Sequence, residues 1–277
     1  MSDDGQARRA GGERAGSGGA MPGQGVVQFA RSVVFIGQMY LSMALFGLVF
    51  TPWALFDRRG AFVAIRGWAH WVRWTAGWMV GLRSEVRGLV PDGEVLVAAK
   101  HQSFFDIIIL CSVLPRPKFI MKRELLRAPI LGWYATRIGC VPVDRGKRGQ
   151  AIREMVAAVA AGRQEPGQLV IYPQGTRVAP GAYLPYKVGS GILYQELGGS
   201  CVPVACNVGV FWPRQSLRRR PGLAVVEFLP PLPAGLPLRD FMQQLEAGVE
   251  EASNRLMAEA GFPRPAEGVR KPAPPVR

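Results

Sequence analysis

Histidine is scarce in this chain, which has only His70 and His101 among its 277 residues. Cysteine is also rare, with four residues in the chain. All four lie in apolar stretches, and they form no CxxC pair. A zinc site needs several such ligands at short spacing, so we expect no metal site. Isolated thiols in apolar surroundings are typical of core residues in a reducing compartment and do not indicate a disulfide framework.

Acidic residues are also few, with 20 Asp and Glu against 34 Lys and Arg, for a formal net charge of +14. Such a surplus favours anionic partners, namely nucleic acid, anionic lipid headgroups or phosphorylated ligands. The basic residues are spread along the chain, and no helix-turn-helix, zinc-finger or aromatic-basic RNA pattern occurs. No G-x-S-x-G nucleophile elbow is present either. A non-catalytic basic protein and a hydrolase that uses His101 stay open as alternatives.

Composition divides the chain into four parts. Residues 1–25 are rich in Gly, Ala, Arg and Ser, which predicts a disordered tail. Residues 26–82 contain the most apolar stretch and predict membrane-anchoring helices. Residues 83–261 alternate between strand-like and helix-like patterns, which predicts one α/β domain. Residues 262–277 contain five prolines and predict a second disordered tail.

The apolar stretch Val33–Trp53 has no charged residue and, as a helix, is about 31 Å long, close to the thickness of a bilayer's hydrocarbon core. A second helix follows, with tryptophans on one face and Arg66, His70 and Arg73 on the other, a pattern typical of the membrane interface. Basic residues flank the first helix on both sides, so charge does not choose an orientation. A single span and a buried core helix are the alternatives. We favour a hairpin in one leaflet, whose tryptophan face is formed by Trp68, Trp71, Trp74 and Trp78.

Strand and helix patterns alternate after residue 93, which predicts a mostly buried mixed sheet flanked by helices. The predicted strands are Glu94–Lys100, Lys118–Lys122, Cys140–Val143, Leu169–Tyr172, Val202–Phe211 (interrupted) and Ala224–Phe228. The predicted helices are Ser103–Leu114, Glu124–Ile138, Gly149–Ala161, Ser190–Leu197 and Leu238–Ala260.

His101 stands at the exit of the first of these strands, and Asp106 lies in the first turn of the following helix. Positions five apart on one helix point away from each other, but the two side chains can meet if His101 lies on the turn before the helix. Ser103 is then the natural N-cap, and its spacing to Asp106 is that of a capping box. Asp106 is interpreted either as a cap alone or as the carboxylate that orients a basic imidazole.

Cationic side chains follow several other predicted strands. Lys122 and Arg145 each lie at or just after a strand end, and the Tyr172–Arg177 stretch offers a turn with a hydroxyl and a guanidinium that suits a phosphate. Ligands of open α/β sheets bind at the carboxyl ends of strands, so these groups could converge on one anion. Scattered solvated charge is the alternative. The candidate phosphate ligands are Arg177, Thr176, Gly175, Arg145 and Lys122.

Together these stretches resemble the four motif blocks of the glycerolipid acyltransferase family, and are most similar to its bacterial 1-acylglycerol-3-phosphate acyltransferases. The likeness covers roughly residues 90–210. The stretches that carry it are Lys100-His-Gln-Ser-Phe-Phe-Asp106, Lys122-Arg-Glu-Leu-Leu with Pro129 and Gly132-Trp133, Val141-Pro-Val-Asp-Arg145, Tyr172-Pro-Gln-Gly-Thr-Arg177 and Val202-Pro-Val-Ala-Cys-Asn207.

The resemblance implies acyl transfer from acyl-CoA or acyl-carrier protein to the sn-2 hydroxyl of lysophosphatidate, giving phosphatidate. His101 would be the general base, Asp106 would orient it, and Arg177 with Gly175 and Thr176 would bind the acceptor phosphate. It implies no cofactor, a bilayer surface as partner, no nucleic acid, and a site that faces the cytoplasm at the inner membrane. Gln174 departs from the family, which usually has Glu there, so another acceptor such as a lyso-ornithine lipid stays open.

Overall fold

The computed structural model describes residues 22–144, 154, 156–157 and 166–263. Most of both predicted tails, Arg145 and most of the predicted helix Gly149–Ala161 lie outside the described residues. Residues 22–25, which we predicted as part of the tail, instead begin the first helix.

Two long helices form an antiparallel hairpin at the start of the described chain. Helix α1 covers Pro22–Phe56 and α2 covers Arg58–Val80. Between them Asp57 caps α2, its carboxylate accepting from the backbone N–H of Arg59 at 2.8 Å. Helix α2 ends at Gly81, whose φ of +72° is the left-handed conformation that glycine adopts at low cost. The predicted helical hairpin is therefore present.

Helix α1 lies along the rest of the molecule for most of its length. Near its start, the Gln28 amide donates to the carbonyl of Arg219 at 3.0 Å. Near the end of α1, Arg137 donates to the carbonyl of Ala54 at 2.8 Å. The hydroxyl of Tyr134 donates to the carbonyl of Gly47 at 2.8 Å. The opposite side of α1 is exposed and apolar. Its 32-residue stretch Gly25–Phe56 is long and apolar enough to cross a membrane.

The tryptophans of α2 do not all share one environment. Trp71, Trp74 and Trp78 are exposed and contact one another in sequence, with ring centroids 5.2 and 5.8 Å apart. Trp68 instead packs against the core, and its indole N–H donates to the carbonyl of Met39 at 3.1 Å. Trp68 was therefore wrongly placed on the exposed face, because helical spacing does not show which part of a face a neighbouring helix covers.

The basic side of α2 is turned toward the protein. Arg73 donates to the hydroxyls of Ser84 and Ser112, each at 2.8 Å, and Arg66 donates to the carbonyl of Leu114 at 2.9 Å. These arginines dock α2 on the domain that follows, since each satisfies a polar group that the packing would otherwise leave without a partner.

That domain is built on a seven-stranded mixed sheet in the order β1-β7-β6-β2-β5-β3-β4. Strands β6, β2, β5, β3 and β4 are mutually parallel, whereas β7 is antiparallel to β6 and parallel to β1. The carboxyl ends of the five parallel strands therefore lie on the same side of the sheet as the amino ends of β7 and β1. The strands are β1 Leu82–Arg87, β2 Val95–Ala99, β3 Pro117–Lys122, β4 Val141–Val143, β5 Gln168–Ile171, β6 Cys201–Cys206 and β7 Gly222–Phe228.

Helices cover both faces of the sheet. The helices that follow the hairpin are α3 Phe105–Val113, α4 Pro129–Arg137, α5 Gly189–Leu197 and α6 Leu238–Glu259. Alternate residues of β2 point to opposite faces, so Val97 joins the apolar cluster under α1, α2 and α3, while Leu96 joins the cluster under α5 and α6. The mixed α/β architecture predicted from the sequence is confirmed.

Three local predictions were inaccurate. Strand β1 was missed, because its Leu-Arg-Ser-Glu-Val-Arg sequence is that of a polar edge strand. The single helix predicted over Glu124–Ile138 is a short 3-10 turn, Arg123–Arg127, followed by α4, since Pro129 cannot continue a helix and instead starts one. The predicted strand Val202–Phe211 ends at Cys206, before a 3-10 turn over Val208–Val210.

Candidate active site

His101 and Asp106 meet at the carboxyl end of β2. The Nδ1 atom of His101 is 2.9 Å from Oδ1 of Asp106. Asp106 is buried, with 1% of its surface exposed, whereas the His101 side chain keeps 12% of its surface exposed. A carboxylate only accepts hydrogen bonds, so it places the proton of a neutral imidazole on Nδ1 and leaves Nε2 as the free basic nitrogen.

The second carboxylate oxygen of Asp106 binds the turn before α3. Oδ2 accepts from the backbone N–H groups of Gln102 at 2.9 Å and Ser103 at 2.7 Å. The N-cap is Phe104 and not Ser103 as predicted, although the Ser103 hydroxyl accepts from the backbone N–H of Phe105 at 3.2 Å. Stabilisation of this turn and orientation of His101 therefore coexist, because each uses a different oxygen of the same carboxylate.

Tyr172 completes this group, and we did not single it out from the sequence. Its ring stacks on that of His101 with centroids 4.0 Å apart, and its hydroxyl donates to Oδ1 of Asp106 at 3.4 Å. Burial, followed by the negative charge of Asp106, raises the pKa of Tyr172 well above its ordinary value, so the phenol stays protonated. Its place at the end of a predicted strand was a signal in the sequence, but the pairing of that strand with β2 is seen only in the structure.

The turn after Tyr172 brings Arg177 close to the backbone of His101. Gly175 adopts a φ of +69°, and its N–H donates to the carbonyl of Tyr172 at 2.8 Å, so this N–H is used to form the turn. The N–H of Val178 donates to the carbonyl of His101 at 2.8 Å. Thr176 and Arg177 lie between these two hydrogen bonds and are both half-buried.

The electrostatic surroundings of Arg177 suit an anionic ligand. Burial, followed by the positive charge of Arg214, lowers the pKa of Arg177 below its ordinary value, while the charge of Asp106 acts in the opposite direction. Among the described residues, Arg177 forms no ion pair with a carboxylate. A phosphate at this position would offset both burial and the repulsion from Arg214.

Of the other two predicted phosphate ligands, the structure describes only Lys122. Lys122 lies at the carboxyl end of β3, where its exposed ammonium pairs with Glu124 at 3.0 Å. Arg145 lies outside the described residues. The structure therefore joins His101, Asp106, Thr176, Gly175 and Arg177 in one place, while Lys122 lies two strands away from β2 and is paired with Glu124.

The residue before His101 forms a buried ion pair on the face of the sheet that α6 covers. The ammonium of Lys100 lies 2.5 Å from the carboxylate of Glu250 on α6, and its side chain is only 2% exposed. The Tyr186 hydroxyl donates to the same carboxylate at 3.0 Å. We did not predict this network, because 150 residues separate Lys100 from Glu250 in the sequence.

Comparison with known proteins shows what this chain is similar to. Residues 83–207 match the family model described as Acyltransferase. The chain carries an acyltransferase-family domain. It is 27% identical over 234 residues to the 1-acyl-sn-glycerol-3-phosphate acyltransferase of Pseudomonas aeruginosa, covering 81% of this chain and 91% of that protein. It is 32% identical over 161 residues to the human 1-acyl-sn-glycerol-3-phosphate acyltransferase alpha, covering 56% of this chain and 57% of that protein.

The fold of this chain is also found in a crystal structure. The 1-acyl-sn-glycerophosphate acyltransferase of Thermotoga maritima superposes with a TM-score of 0.69 and 20% sequence identity. The superposition covers 83% of this chain and 98% of that one. The predicted family is confirmed, and the matched domain begins at β1, directly after the helical hairpin.

Proposed function

We propose that this enzyme transfers an acyl chain from an acyl thioester to the sn-2 hydroxyl of a 1-acyl-glycerol-3-phosphate, giving phosphatidate. The observation that carries the proposal is the pairing of His101 with a buried carboxylate next to Arg177, a cation without a carboxylate partner among the described residues. A base and an anion site side by side are what acylation of a phosphate-bearing alcohol requires. The names of the relatives from Pseudomonas aeruginosa and human agree with this acceptor.

The reaction follows from the orientation of the imidazole. The Nε2 atom of His101 takes the proton of the acceptor hydroxyl as its oxygen attacks the thioester carbonyl, and Asp106 stabilises the imidazolium that forms. The tetrahedral intermediate then collapses, the C–S bond breaks, and the imidazolium returns its proton to the departing thiolate. The donor is the thioester of coenzyme A or of acyl-carrier protein.

Arg177 binds the acceptor phosphate in this proposal, with the Thr176 hydroxyl beside it. The guanidinium can form two parallel hydrogen bonds to phosphate oxygens, which fixes the position of the glycerol hydroxyl relative to His101. Gly175 contributes the shape of the turn, since its N–H is already bonded to Tyr172.

The enzyme works at the surface of the cytoplasmic membrane, with its site facing the cytoplasm, where acyl thioesters are available. Helix α1 contacts the α/β domain near both its ends, at Gln28 and at Ala54. These positions lie about 39 Å apart along a helix, more than the thickness of the hydrocarbon core. A spanning α1 would pull polar domain surface through the bilayer, so we place α1 in the plane of one leaflet with its exposed apolar side in lipid.

The test replaces each of the two histidines in turn. Purified protein in detergent micelles receives acyl-CoA and lysophosphatidate, and both thiol release and phosphatidate are measured. His101→Ala should lower kcat by about 10²–10⁴-fold, the usual contribution of a general base. The matched variant His70→Ala should keep its activity, because His70 lies on α2 and is not part of the group formed by His101, Asp106, Tyr172 and Arg177.

Activity of His101→Ala within a few-fold of wild type would refute its role as base. Thiol release by the wild type that does not depend on a lyso-lipid acceptor would instead indicate a hydrolase. The same assay with a panel of acceptors, including lyso-ornithine lipid, tests the acceptor. A preference for an acceptor without phosphate would overturn the role given to Arg177.

A further inference from the structure

A run of arginines lies beside the first half of α1 and takes no part in the reaction proposed above. We call residues 214–220, which contain Arg214, Arg218, Arg219 and Arg220, the arginine segment. Among the described residues, none of these four side chains forms an ion pair with a carboxylate. Four neighbouring cations without acidic partners create a strongly positive surface, which attracts anions.

Hydrogen bonds fasten the arginine segment to α1. The backbone N–H of Arg219 donates to the hydroxyl of Ser32 at 2.9 Å, and its carbonyl accepts from the Gln28 amide. The same amide also donates to the carbonyl of Val80 at 2.9 Å. Directly after the segment, the N–H of Gly222 donates to the carbonyl of Gly81 at 3.0 Å. The segment is therefore held at the corner where α1 begins and α2 ends.

Arg219 serves as the internal anchor of the segment. Its guanidinium stacks over the Trp212 ring at 4.0 Å, and Trp212 stacks on Phe105 of α3 with centroids 5.2 Å apart. Only Nη1 of its guanidinium has a hydrogen-bond partner among the described residues, the carbonyl of Ser216 at 2.6 Å, and Nε is buried with none. Burial lowers the pKa of Arg219 to about 10. Nearby anions would offset the cost of burying this charge.

The rest of the segment is directed outward. Arg214, Arg218 and Arg220 are exposed, and Leu217 between them is 58% exposed. On α1, the neighbouring Val26 belongs to the exposed apolar side of the helix. The exposed arginines therefore surround an apolar tip, Leu217, that continues the apolar side of α1. This arrangement matches the boundary between the headgroups and the acyl chains of a membrane.

We propose that the arginine segment binds the phosphate groups of anionic phospholipids and so holds the corner of the hairpin at the membrane surface. The proposal rests on the proposed function only for the membrane placement of α1. Leu217 enters the acyl boundary, and the exposed guanidinium groups lie at the level of the phosphates. The phosphates of the acyl donor are a second possible source of the same chemistry, and the experiment separates the two.

The experiment compares two double variants that remove equal charge. Arg218→Gln/Arg220→Gln changes the segment, and Arg116→Gln/Arg239→Gln changes two exposed arginines at the amino ends of β3 and α6, outside the segment. The full-length protein is allowed to distribute between vesicles of pure phosphatidylcholine and vesicles of phosphatidylcholine and phosphatidylglycerol in equal amounts. Turnover of acyl-CoA and lysophosphatidate in detergent micelles is measured separately.

The segment variant should lose roughly 25-fold of its preference for the anionic vesicles, since one arginine near the surface accounts for about five-fold. The control variant should keep the preference, and added salt should reduce it in the wild type, because salt screens exposed charges. Both variants should retain micellar turnover. An equal loss in both variants, or none in the segment variant, would overturn the proposal.

A segment variant with unchanged vesicle preference but a raised KM for acyl-CoA would assign these arginines to the acyl donor and also overturn it. Failure of the proposed function would look different, because the wild type would then give no turnover in micelles. The distribution between vesicles does not depend on turnover.

Discussion

Replacing Asp106 by Asn tests the candidate dyad most directly. In the native protein, Oδ2 of Asp106 accepts two backbone N–H groups, from Gln102 and Ser103. In the Asn variant, an NH₂ group in the place of Oδ2 would face these two N–H donors. The amide oxygen of the new Asn therefore occupies the place of Oδ2, where it accepts from both. The NH₂ group then takes the place of Oδ1 and donates to Nδ1 of His101. This reverses the imidazole tautomer and places the proton on Nε2, the atom that should act as the base.

The magnitude follows from this reversal. The same change in the Ser-His-Asp triad lowers kcat by about 10⁴-fold, equivalent to about 5 kcal/mol of transition-state stabilisation. We therefore expect Asp106→Asn to lose about 10³–10⁴-fold in kcat with a small change in KM. Both backbone N–H groups keep an acceptor, so the free energy of unfolding should fall by only about 1–3 kcal/mol.

The assay follows thiol release and phosphatidate formation at saturating substrates, beside a denaturant unfolding curve for each variant. Asp240→Asn is the matched control, because Asp240 also lies in the first turn of a helix but is exposed. The double variant His101→Ala/Asp106→Asn should be no slower than His101→Ala alone, since the two residues act as one unit. Activity of Asp106→Asn within ten-fold of wild type, or additive losses in the double variant, would refute the reasoning.

Three further variants test the surroundings of the dyad. Arg177→Lys should raise KM for lysophosphatidate by about 10–100-fold, because an ammonium cannot form the paired hydrogen bonds of a guanidinium. Gln174→Glu removes the amide that donates to the carbonyl of Leu184 at 3.1 Å and should lower stability by about 1–3 kcal/mol. That loss should be larger at alkaline than at acidic pH, since burial raises the pKa of a carboxyl and the folded state resists its ionisation. Glu250→Gln should lower stability by about 3–5 kcal/mol, because it leaves the buried ammonium of Lys100 without its counter-charge.

Each of these predictions has a control. For Arg177→Lys it is an acceptor without a phosphate, whose KM should not change. The exposed Gln195→Glu should unfold like the wild type at every pH, and an equal loss there would remove the explanation offered for Gln174. Glu124→Gln breaks the exposed pair with Lys122 and should change stability little. If it costs as much as Glu250→Gln, burial of Lys100 is not the cause.

Local patterns in the sequence were sufficient for most of the architecture. Alternating strand and helix patterns indicated the α/β sheet, and the long uncharged stretch indicated α1. Polar or proline-interrupted segments were less predictable. Strand β1 is charged because it lies at an edge, and Pro129 divides what looked like one helix into a 3-10 turn and α4. Such boundaries depend on backbone hydrogen bonding, which apolar periodicity does not report.

The dyad itself could be predicted because it is local. Asp106 follows His101 by five residues, and the hydrogen bonds of its carboxylate to the turn before α3 bring the two side chains together. The residue types and spacing of one turn contain that information.

Contacts between distant parts of the chain were decided only by the tertiary structure. Tyr172 reaches His101 because β5 pairs with β2, and Glu250 reaches Lys100 because α6 packs on the opposite face of the sheet. The place of the arginine segment beside α1 likewise depends on the antiparallel direction of β7, which brings its amino end to the edge that holds His101. Strand order and direction result from burial of both faces of the sheet, so no single stretch of sequence specifies them.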